Sequence, residues 1–287
     1  MKRILTATVL ILVVLALIFF GQLWTMTLFA AVVAELAAYE FLQLAAVEAR
    51  SHNAQVQLPA WWMALGTALL FVVTLPNFPV EAQLPVLSAL TLALFTWNGF
   101  RAPLNQVLPD TAQGLFGLIW IAYPLTLIPL LWKREDGPAL VLFLMVCVWS
   151  GDIAALYIGR AFGRHKLAPR LSPGKTWEGS VASVAGSLVA AGVVLLLSEQ
   201  LMARGNLILH IGEPVWQSLL LAVFLNVAAQ LGDLLESAIK RGCGVKDSGT
   251  MLPGHGGILD RIDALLLAAP VLWFVLQIRE AFGLGRF

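Results

Sequence analysis

Long apolar segments recur along almost the entire chain, and they constrain the fold more than any other feature. A helix that crosses the hydrocarbon core of a bilayer needs about 20 apolar residues, with a range of roughly 17–25. Segments of this kind occur at 4–20, 23–47, 59–76, 80–98, 112–132, 139–160, 178–198, 214–239 and 262–280. The sequence therefore predicts an all-α, polytopic integral membrane protein with about nine transmembrane helices.

The composition excludes the competing classes of protein. Hydrophobic residues occupy 59% and charged residues 12% of the 287 positions, against about 45–50% and about 25% in soluble domains. Neither a soluble globule nor a disordered chain fits these values. The net charge of +1, with no basic face, predicts no nucleic-acid partner. The two cysteines, Cys147 and Cys243, lie in very different surroundings and are expected to be free thiols.

Basic residues are distributed asymmetrically between alternate loops. With nine spans and a cytoplasmic N-terminus, 13 of the 18 Lys and Arg residues fall on the inner side. Because cytoplasmic loops are enriched in Lys and Arg, we expect this orientation in the cytoplasmic membrane. An even number of spans would move only one or two charges and would leave the C-terminus inside. The most basic inner loops, 161–177 and 240–261, predict that the chemistry faces the cytoplasm.

The polar groups are concentrated in one half of the chain. Residues 1–138 are mostly apolar, whereas residues 139–287 contain nearly all of the polar groups that need an explanation. We therefore expect 1–138 to form a lipid-facing scaffold of helices and 139–287 to form the helices around a polar cavity.

The segment 214–241 contains a regular polar stripe. Asn226, Gln230, Asp233, Ser237 and Lys240 follow one another at intervals of three or four residues, which places them on one face of a helix. The uncharged members fit either an interhelical hydrogen-bonding seam or the lining of a polar cavity. A charge at the centre of a bilayer costs at least ~2.5–3.5 kcal/mol, so Asp233 favours the cavity.

A glycine-rich loop follows this stripe. In the loop 246–257, Gly254, Gly256 and Gly257 would allow close approach of phosphate oxygens to the backbone, although an ordinary connector would look similar. Asp260 and Asp263 then begin the last apolar segment, three residues apart and on one helical face. Helix capping explains one such carboxylate. Asp260 and Asp263 can converge with Asp233, and three converging carboxylates favour a site for hard divalent cations.

A second polar motif precedes the segment 178–198. Residues 172–179 read S-P-G-K-T-W-E-G, which is not a Walker A motif because Pro169 stands where that motif needs glycine. The motif does place Lys175 and the hydroxyls of Ser172 and Thr176 at a helix start, where free N–H groups attract anions. A basic cytoplasmic loop capped by Ser or Thr is the alternative interpretation.

Three further carboxylates lie inside apolar segments. Asp152 is a candidate for the same polar cavity as Asp233. Glu35 and Glu40 are five residues apart and do not share a helical face cleanly. We expect structural or interfacial roles for these two glutamates.

The run from Ser237 to Asp263 resembles the signature of phosphatidate cytidylyltransferases, also called CDP-diacylglycerol synthases. It reads S-x-x-K-R, then K-D, then P-x-H-G-G-x-x-D-R-x-D, over 27 residues without a gap. Asp233 and the motif at 172–179 also match the pattern of this family. The specific resemblance covers roughly residues 149–270.

The resemblance implies a membrane enzyme that transfers the cytidylyl group of CTP to phosphatidic acid. The products would be CDP-diacylglycerol and pyrophosphate, and the enzyme would serve phospholipid biosynthesis. The implied fold is a multi-span helical protein, often a homodimer, with a catalytic cavity that faces the cytoplasm. The implied partners are CTP, phosphatidic acid and membrane lipid. The implied cofactor is Mg²⁺, with a second cation as an option.

The resemblance and the residues together give expected roles. Asp233 and Asp260 would hold the metal, with Asp263 close by and Asp152 as a further candidate. The expected catalytic residues are Asp233, Ser237, Lys240, Arg241, Lys246, Asp247 and His255. The expected substrate-binding residues are Ser172, Lys175, Thr176, Gly256, Gly257 and Arg261. Ser237 would be a weak ligand or would orient Asp233, and which basic group serves which phosphate stays open.

Three alternatives compete with this interpretation. A transporter would also carry carboxylates at membrane depth, but it would not need the charged signature. A catalytically silent scaffold would not need the complete set of charged residues. A related enzyme that acts on an isoprenoid ether lipid phosphate stays open, because lipid specificity lies in apolar surfaces.

Overall fold

The computed structural model describes residues 2–51, 59–212, 214–251 and 256–282, and most of them are helical. The helices are α1 (Lys2–Phe20), α2 (Leu23–Ser51), α3 (Ala60–Val72), α4 (Gln83–Arg101), α5 (Val107–Gly117), α6 (Tyr123–Trp132), α7 (Gly137–Phe162), α8 (Trp177–Met202), α9 (Val215–Gly242), α10 (Leu259–Ile262) and α11 (Leu265–Ala281). A 3₁₀ turn, Val80–Ala82, leads into α4, and a π-helical turn, Leu118–Ala122, joins α5 to α6. The nearly all-α fold is confirmed.

A small β-hairpin departs from the predicted all-α class. Strands β1 (Lys166–Ala168) and β2 (Ser172–Thr176) pair antiparallel, with Lys166 opposite Thr176 and Ala168 opposite Ser172. The sequence analysis treated this basic segment as a loop. Its short strands contain Pro173 and Gly174, which hide the alternating pattern that usually predicts a strand.

Among the described residues, six helices are long and apolar enough to cross a membrane. They are Leu23–Ala49, Val80–Arg101, Val107–Trp132, Gly137–Phe162, Trp177–Met202 and Val215–Gly242. Each corresponds to one of the nine predicted segments, so a multi-pass membrane protein is supported.

The predicted number of about nine spans is not confirmed. The segment 4–20 corresponds to α1 (Lys2–Phe20), and the segment 59–76 corresponds to a shorter apolar helix, Ala60–Val72. The last segment is interrupted after Ile262, and α11 has 17 residues. At 1.5 Å per residue, the 13 residues of α3 extend about 20 Å, whereas the hydrocarbon core is about 30 Å thick.

The chain forms two compact units, each of which combines segments that are distant in sequence. The first comprises Met1–Val13, Gly21–Leu130 and Ile239–Ile262, and the second comprises Val14–Phe20, Leu131–Ala238 and Asp263–Phe287. The sequence predicted different roles for residues 1–138 and 139–287, not separate packing units. The two compact units do not test that division, which stays a prediction.

Aromatic and small residues build the core of the first unit. Phe41 of α2 lies edge-on to Trp120 at 6.0 Å between ring centroids. A Cβ at Gly117 would come within 2.9 Å of the Phe41 ring and 2.6 Å of Met63. A glycine at this position therefore lets α5 approach α2 and α3 closely, as small residues do between membrane helices.

Polar and small residues join α7, α8 and α9 in the second unit. Asn226 donates from Nδ2 to the hydroxyls of Ser183 and Ser187, at 2.9 and 2.7 Å. Gln230 donates to Asn226 Oδ1 at 2.7 Å, and Gly151 gives these side chains room against α7. The uncharged part of the polar stripe is thus an interhelical hydrogen-bonding seam, one of the two alternatives from the sequence.

Candidate metal and phosphate site

The hairpin orients the lysine of the second motif. Thr176 ends β2 and caps α8, because its Oγ1 accepts a hydrogen bond from the Gly179 amide at 3.2 Å. Beside it, Glu178 accepts from the backbone N–H of His165, and the His165 ring nitrogen Nδ1 lies 2.7 Å from Glu178 Oε1. Capping by Thr176 agrees with the alternative interpretation of this motif. It also gives Lys175 a defined place directly before α8.

Lys175 forms an ion pair with Asp233 of α9. The distance from Nζ to Oδ2 is 2.6 Å, and the two side chains are 24% and 37% exposed. A pair with this much exposure adds little to stability, about 0–1 kcal/mol. The ion pair matters because of its position, since it joins the motif at 172–179 to the polar stripe of α9.

Asp233 belongs to a group of three carboxylates in the second unit. One oxygen each from Asp233, Glu236 and Asp263 lies within 4.8 Å of the others. Glu236 is completely buried, whereas Asp233 and Asp263 are half-buried. Asp233 and Asp263 were predicted to lie together, whereas Glu236 was missed. The signal for Glu236 was present, because it follows Asp233 by three residues on the same helix.

A break between two helices places Asp263 in this group. Asp263 and Ala264 lie between α10 and α11, and the Ala264 amide donates to Asp263 Oδ1 at 2.8 Å. Gly232 allows the α9 backbone to approach, because a Cβ there would overlap the Asp263 carbonyl oxygen. Ser237 Oγ lies 3.5 Å from Asp233 Oδ1, a long hydrogen bond that agrees in direction with an orienting role.

The donor set suits a hard cation. Carboxylate oxygens are the ligands that Mg²⁺ and Ca²⁺ prefer, and three of them converge with one lysine alongside. Two ionised carboxylates within 4.8 Å of each other repel by at least about 3.5 kcal/mol at an effective dielectric constant of about 20. A divalent cation would remove this repulsion, so the residues present fit a metal centre.

Asp260 lies in the first compact unit, together with the glycine-rich loop 246–257, which we call the signature loop. Its Oδ1 accepts from Lys240 Nζ at 2.5 Å, and its Oδ2 accepts from the amides of Ser248 and Gly257 at 3.1 and 2.8 Å. Gly256 has a φ of +80°, which favours glycine at this turn. Asp260 thus organises the loop, and its role as a metal ligand stays a prediction.

The other predicted residues have varied surroundings. Arg241 donates from Nη1 to the Val245 carbonyl at 2.9 Å. Ser172 is half-buried in β2. Exposed positions are occupied by Asp152, Arg241, Lys246, Asp247 and Arg261. His255 lies outside the described residues. The roles predicted for these residues stay predictions.

Sequence comparisons place this chain in a family. A model of the cytidylyltransferase family matches residues 1–279. The chain belongs to the cytidylyltransferase family. The predicted resemblance is therefore confirmed, and it extends well beyond the residues that first carried it.

Several relatives of this chain are named phosphatidate cytidylyltransferase. The phosphatidate cytidylyltransferase of Brucella suis is 36% identical over 274 residues, which cover 94% of this chain and 91% of the relative. The enzyme so named in Mycobacterium leprae is 37% identical over 61% of this chain and 53% of its own length. That of Haemophilus influenzae is 34% identical over 74% of this chain and 64% of its own length.

Proposed function

We propose that this protein transfers the cytidylyl group of CTP to phosphatidic acid, forming CDP-diacylglycerol and pyrophosphate. The observation that carries the proposal is the pairing of Lys175 with Asp233 beside Glu236 and Asp263. The names of relatives that match nearly the whole chain support the choice of substrates. A multi-pass membrane protein also suits a reaction between one soluble substrate and one lipid.

The chemistry needs charge neutralisation more than a base. A phosphate oxygen of phosphatidic acid attacks the α-phosphorus of CTP, and the bond from that phosphorus to the α–β bridging oxygen breaks. Pyrophosphate leaves with the electron pair of that bond. The attacking oxygen is already anionic, so no strong general base is required. Both reactants are polyanions, and catalysis therefore depends on positioning and on electrostatic stabilisation.

The residues of the second unit divide this work. Asp233, Glu236 and Asp263 would hold Mg²⁺, which neutralises phosphate oxygens when bound. Lys175 would exchange its contact with Asp233 for a contact with a substrate phosphate, since an ammonium group is a mobile point charge. Thr176 and Ser172 would contribute hydroxyls close to Lys175.

The loop residues of the first unit are proposed to act on the substrates as well. Lys240, Arg241, Lys246 and Arg261 would neutralise phosphates, and Asp260 would serve as a metal ligand as the resemblance implies. Asp247, His255, Gly256 and Gly257 would shape the phosphate pocket. Asp152 ranks after these as a metal ligand, and a second cation stays an option.

The activity has a direct test. Purified protein in lipid nanodiscs, supplied with Mg²⁺, labelled CTP and phosphatidic acid, should form a cytidylylated lipid and release one pyrophosphate per lipid. Parallel reactions with an isoprenoid ether lipid phosphate measure lipid preference. Folded protein that forms no product with any lipid phosphate would defeat the proposal.

We further propose that the protein lies in the cytoplasmic membrane with its N-terminus and active site facing the cytoplasm. In a variant that lacks Cys147 and Cys243, a cysteine replacing the exposed Thr250 should react only with reagent on the cytoplasmic side. A cysteine replacing the exposed Arg204 should react only from the other side. Labelling of position 250 from outside intact cells would invert this topology.

A homodimer is also proposed, on the resemblance alone. Light scattering of the purified protein, corrected for detergent, should give twice the mass of 31.1 kDa. A protein mass equal to one chain under conditions of full activity would rule the dimer out.

A further inference from the structure

A buried glutamate of α2 contacts the signature loop. Glu40 is 2% exposed and accepts three hydrogen bonds from residues of the same compact unit. Its Oε2 accepts from Ser248 Oγ at 3.0 Å and from the Leu259 amide at 2.9 Å, and its Oε1 accepts from the Ile258 amide at 3.0 Å. The sequence analysis assigned Glu40 a structural or interfacial role. The structure gives it three specific partners, all in residues 248–259.

Two glycines of the loop make room for this carboxylate. A Cβ at Gly257 would overlap both Glu40 Oε2 and Ser248 Oγ, and a Cβ at Gly249 would lie 2.5 Å from Glu40 Oε1. For Gly257, the sequence predicted close approach of a ligand. At Gly249 and Gly257, the group that approaches is the Glu40 side chain.

Glu40 and Asp260 hold adjacent groups of the same loop. Ser248 donates its hydroxyl to Glu40 and its amide to Asp260. Gly257 donates its amide to Asp260, and the next residue, Ile258, donates its amide to Glu40. Asp260 in turn accepts from Lys240, which is 9% exposed. A displacement of the Glu40 carboxylate would therefore be transmitted to Asp260 and Lys240.

A carboxylate group matches the three hydrogen-bond donors that surround Glu40. All three are donors, and an ionised carboxylate offers acceptors only. Hydrogen bonds to an ionised acceptor are also about twice as strong as neutral ones. A glutamine would turn an NH₂ group toward at least one of these donors and leave a buried donor unsatisfied, at nearly unchanged side-chain volume.

We propose that Glu40 is a positioning residue, which holds the signature loop so that Asp260 and Lys240 keep the geometry that the reaction needs. This inference rests on the proposed function. Glu40 does not contact the reacting atoms in this proposal, and it acts only through the loop.

The experiment compares E40Q with the matched control E35Q on the same helix, in purified protein reconstituted with lipid. Hydrogen exchange of peptides covering residues 246–262 reports the loop directly, without any substrate. Turnover per folded protein, with Mg²⁺, CTP and phosphatidic acid, reports the consequence. S248A removes one of the three hydrogen bonds and should have an intermediate effect.

We expect faster exchange in 246–262 of E40Q, unchanged exchange in the other helices, and a kcat lower by roughly 10- to 100-fold, the range for misplaced catalytic groups. E35Q should stay within about twofold of the wild type on both measurements, because Glu35 is half-buried and has no part in the proposed hold on the loop. Unchanged loop exchange, faster exchange in every helix, or wild-type kcat in E40Q would each overturn the proposal. If the wild type forms no product, the proposed function fails, and the exchange measurement still decides whether Glu40 holds the loop.

Discussion

Replacing Glu236 with glutamine separates metal binding from helix packing, because the two predict opposite changes in stability. Glu236 is completely buried on α9 and lies within 4.8 Å of a carboxylate oxygen of both Asp233 and Asp263. If the group is a metal centre, E236Q should lower activity and, in metal-free buffer, raise stability. If Glu236 is an ordinary buried polar group, E236Q should lower stability and spare activity.

The size of the effect follows from the distances. Each pair of ionised carboxylates within 4.8 Å repels by at least about 3.5 kcal/mol at an effective dielectric constant of about 20, and E236Q removes two such pairs. Exposure of Asp233 and its pairing with Lys175 reduce this gain, and the loss of polar contacts of the buried carboxylate costs about 1–3 kcal/mol. We expect a net increase of about 1–3 kcal/mol in the free energy of unfolding, which corresponds to a Tm higher by about 2–10 °C.

Thermal unfolding with EDTA and with Mg²⁺ is the assay, together with turnover as a function of Mg²⁺. Mg²⁺ at 100 times its Kd should stabilise the wild type by about 2.7 kcal/mol, and E236Q should lose most of this stabilisation. Turnover of E236Q should fall by about 100-fold or more. E199Q, an exposed position on α8, is the control. A lower Tm of E236Q in EDTA, with wild-type turnover and Mg²⁺ dependence, would refute the reasoning.

Further changes test the remaining assignments. If Asp233 and Asp260 both hold the metal, D233N and D260N should each nearly abolish turnover in folded protein. The double variant should then be no worse than either alone, because residues that act as a unit lose one function once; full additivity would separate the two roles. K175A should lower kcat/KM for CTP by about 100-fold, with partial recovery at high Mg²⁺; an unchanged kcat/KM would remove Lys175 from the site. Burial, and secondarily the charge of Glu48, raise the pKa of the Cys243 thiol, so little thiolate is present at neutral pH. Maleimide labelling of Cys243 should therefore be slower than that of free cysteine at pH 7. The labelling rate should increase as the pH rises, and it should be higher in E48Q than in the wild type. Equal rates for free cysteine and Cys243 at pH 7 would contradict this.

Hydropathy predicted the long helices well because it is a local property. The ends of the six membrane-length helices lie within about five residues of the predicted ends, a normal uncertainty for helix boundaries. Short segments were less certain. The segment 59–76 has enough apolar residues for a span, but α3 ends at Val72, four residues before Pro76. Proline disfavours helical conformation in the residue before it and cannot continue the hydrogen-bonding pattern.

The candidate site was only partly predictable. Helical spacing placed Asp233 and Asp263 among the carboxylates of one site, and the structure groups them. Glu236 was missed, although it follows Asp233 by three residues on the same helix. The pairing of Lys175 with Asp233 had no local signal, since the two motifs lie on different elements of the chain.

The sequence by itself determined the class of protein, the positions of the long helices and the residues of the signature, because each depends on composition or spacing within a short window. Only the tertiary structure decided which of these residues meet. Glu40 of α2 reaches the loop at 248–259, and Glu236 is buried beside Asp263. The physical reason is that contacts between distant segments arise from helix packing. Close approach at positions such as Gly232 and Gly257 depends on the backbone that faces them, which no local pattern specifies.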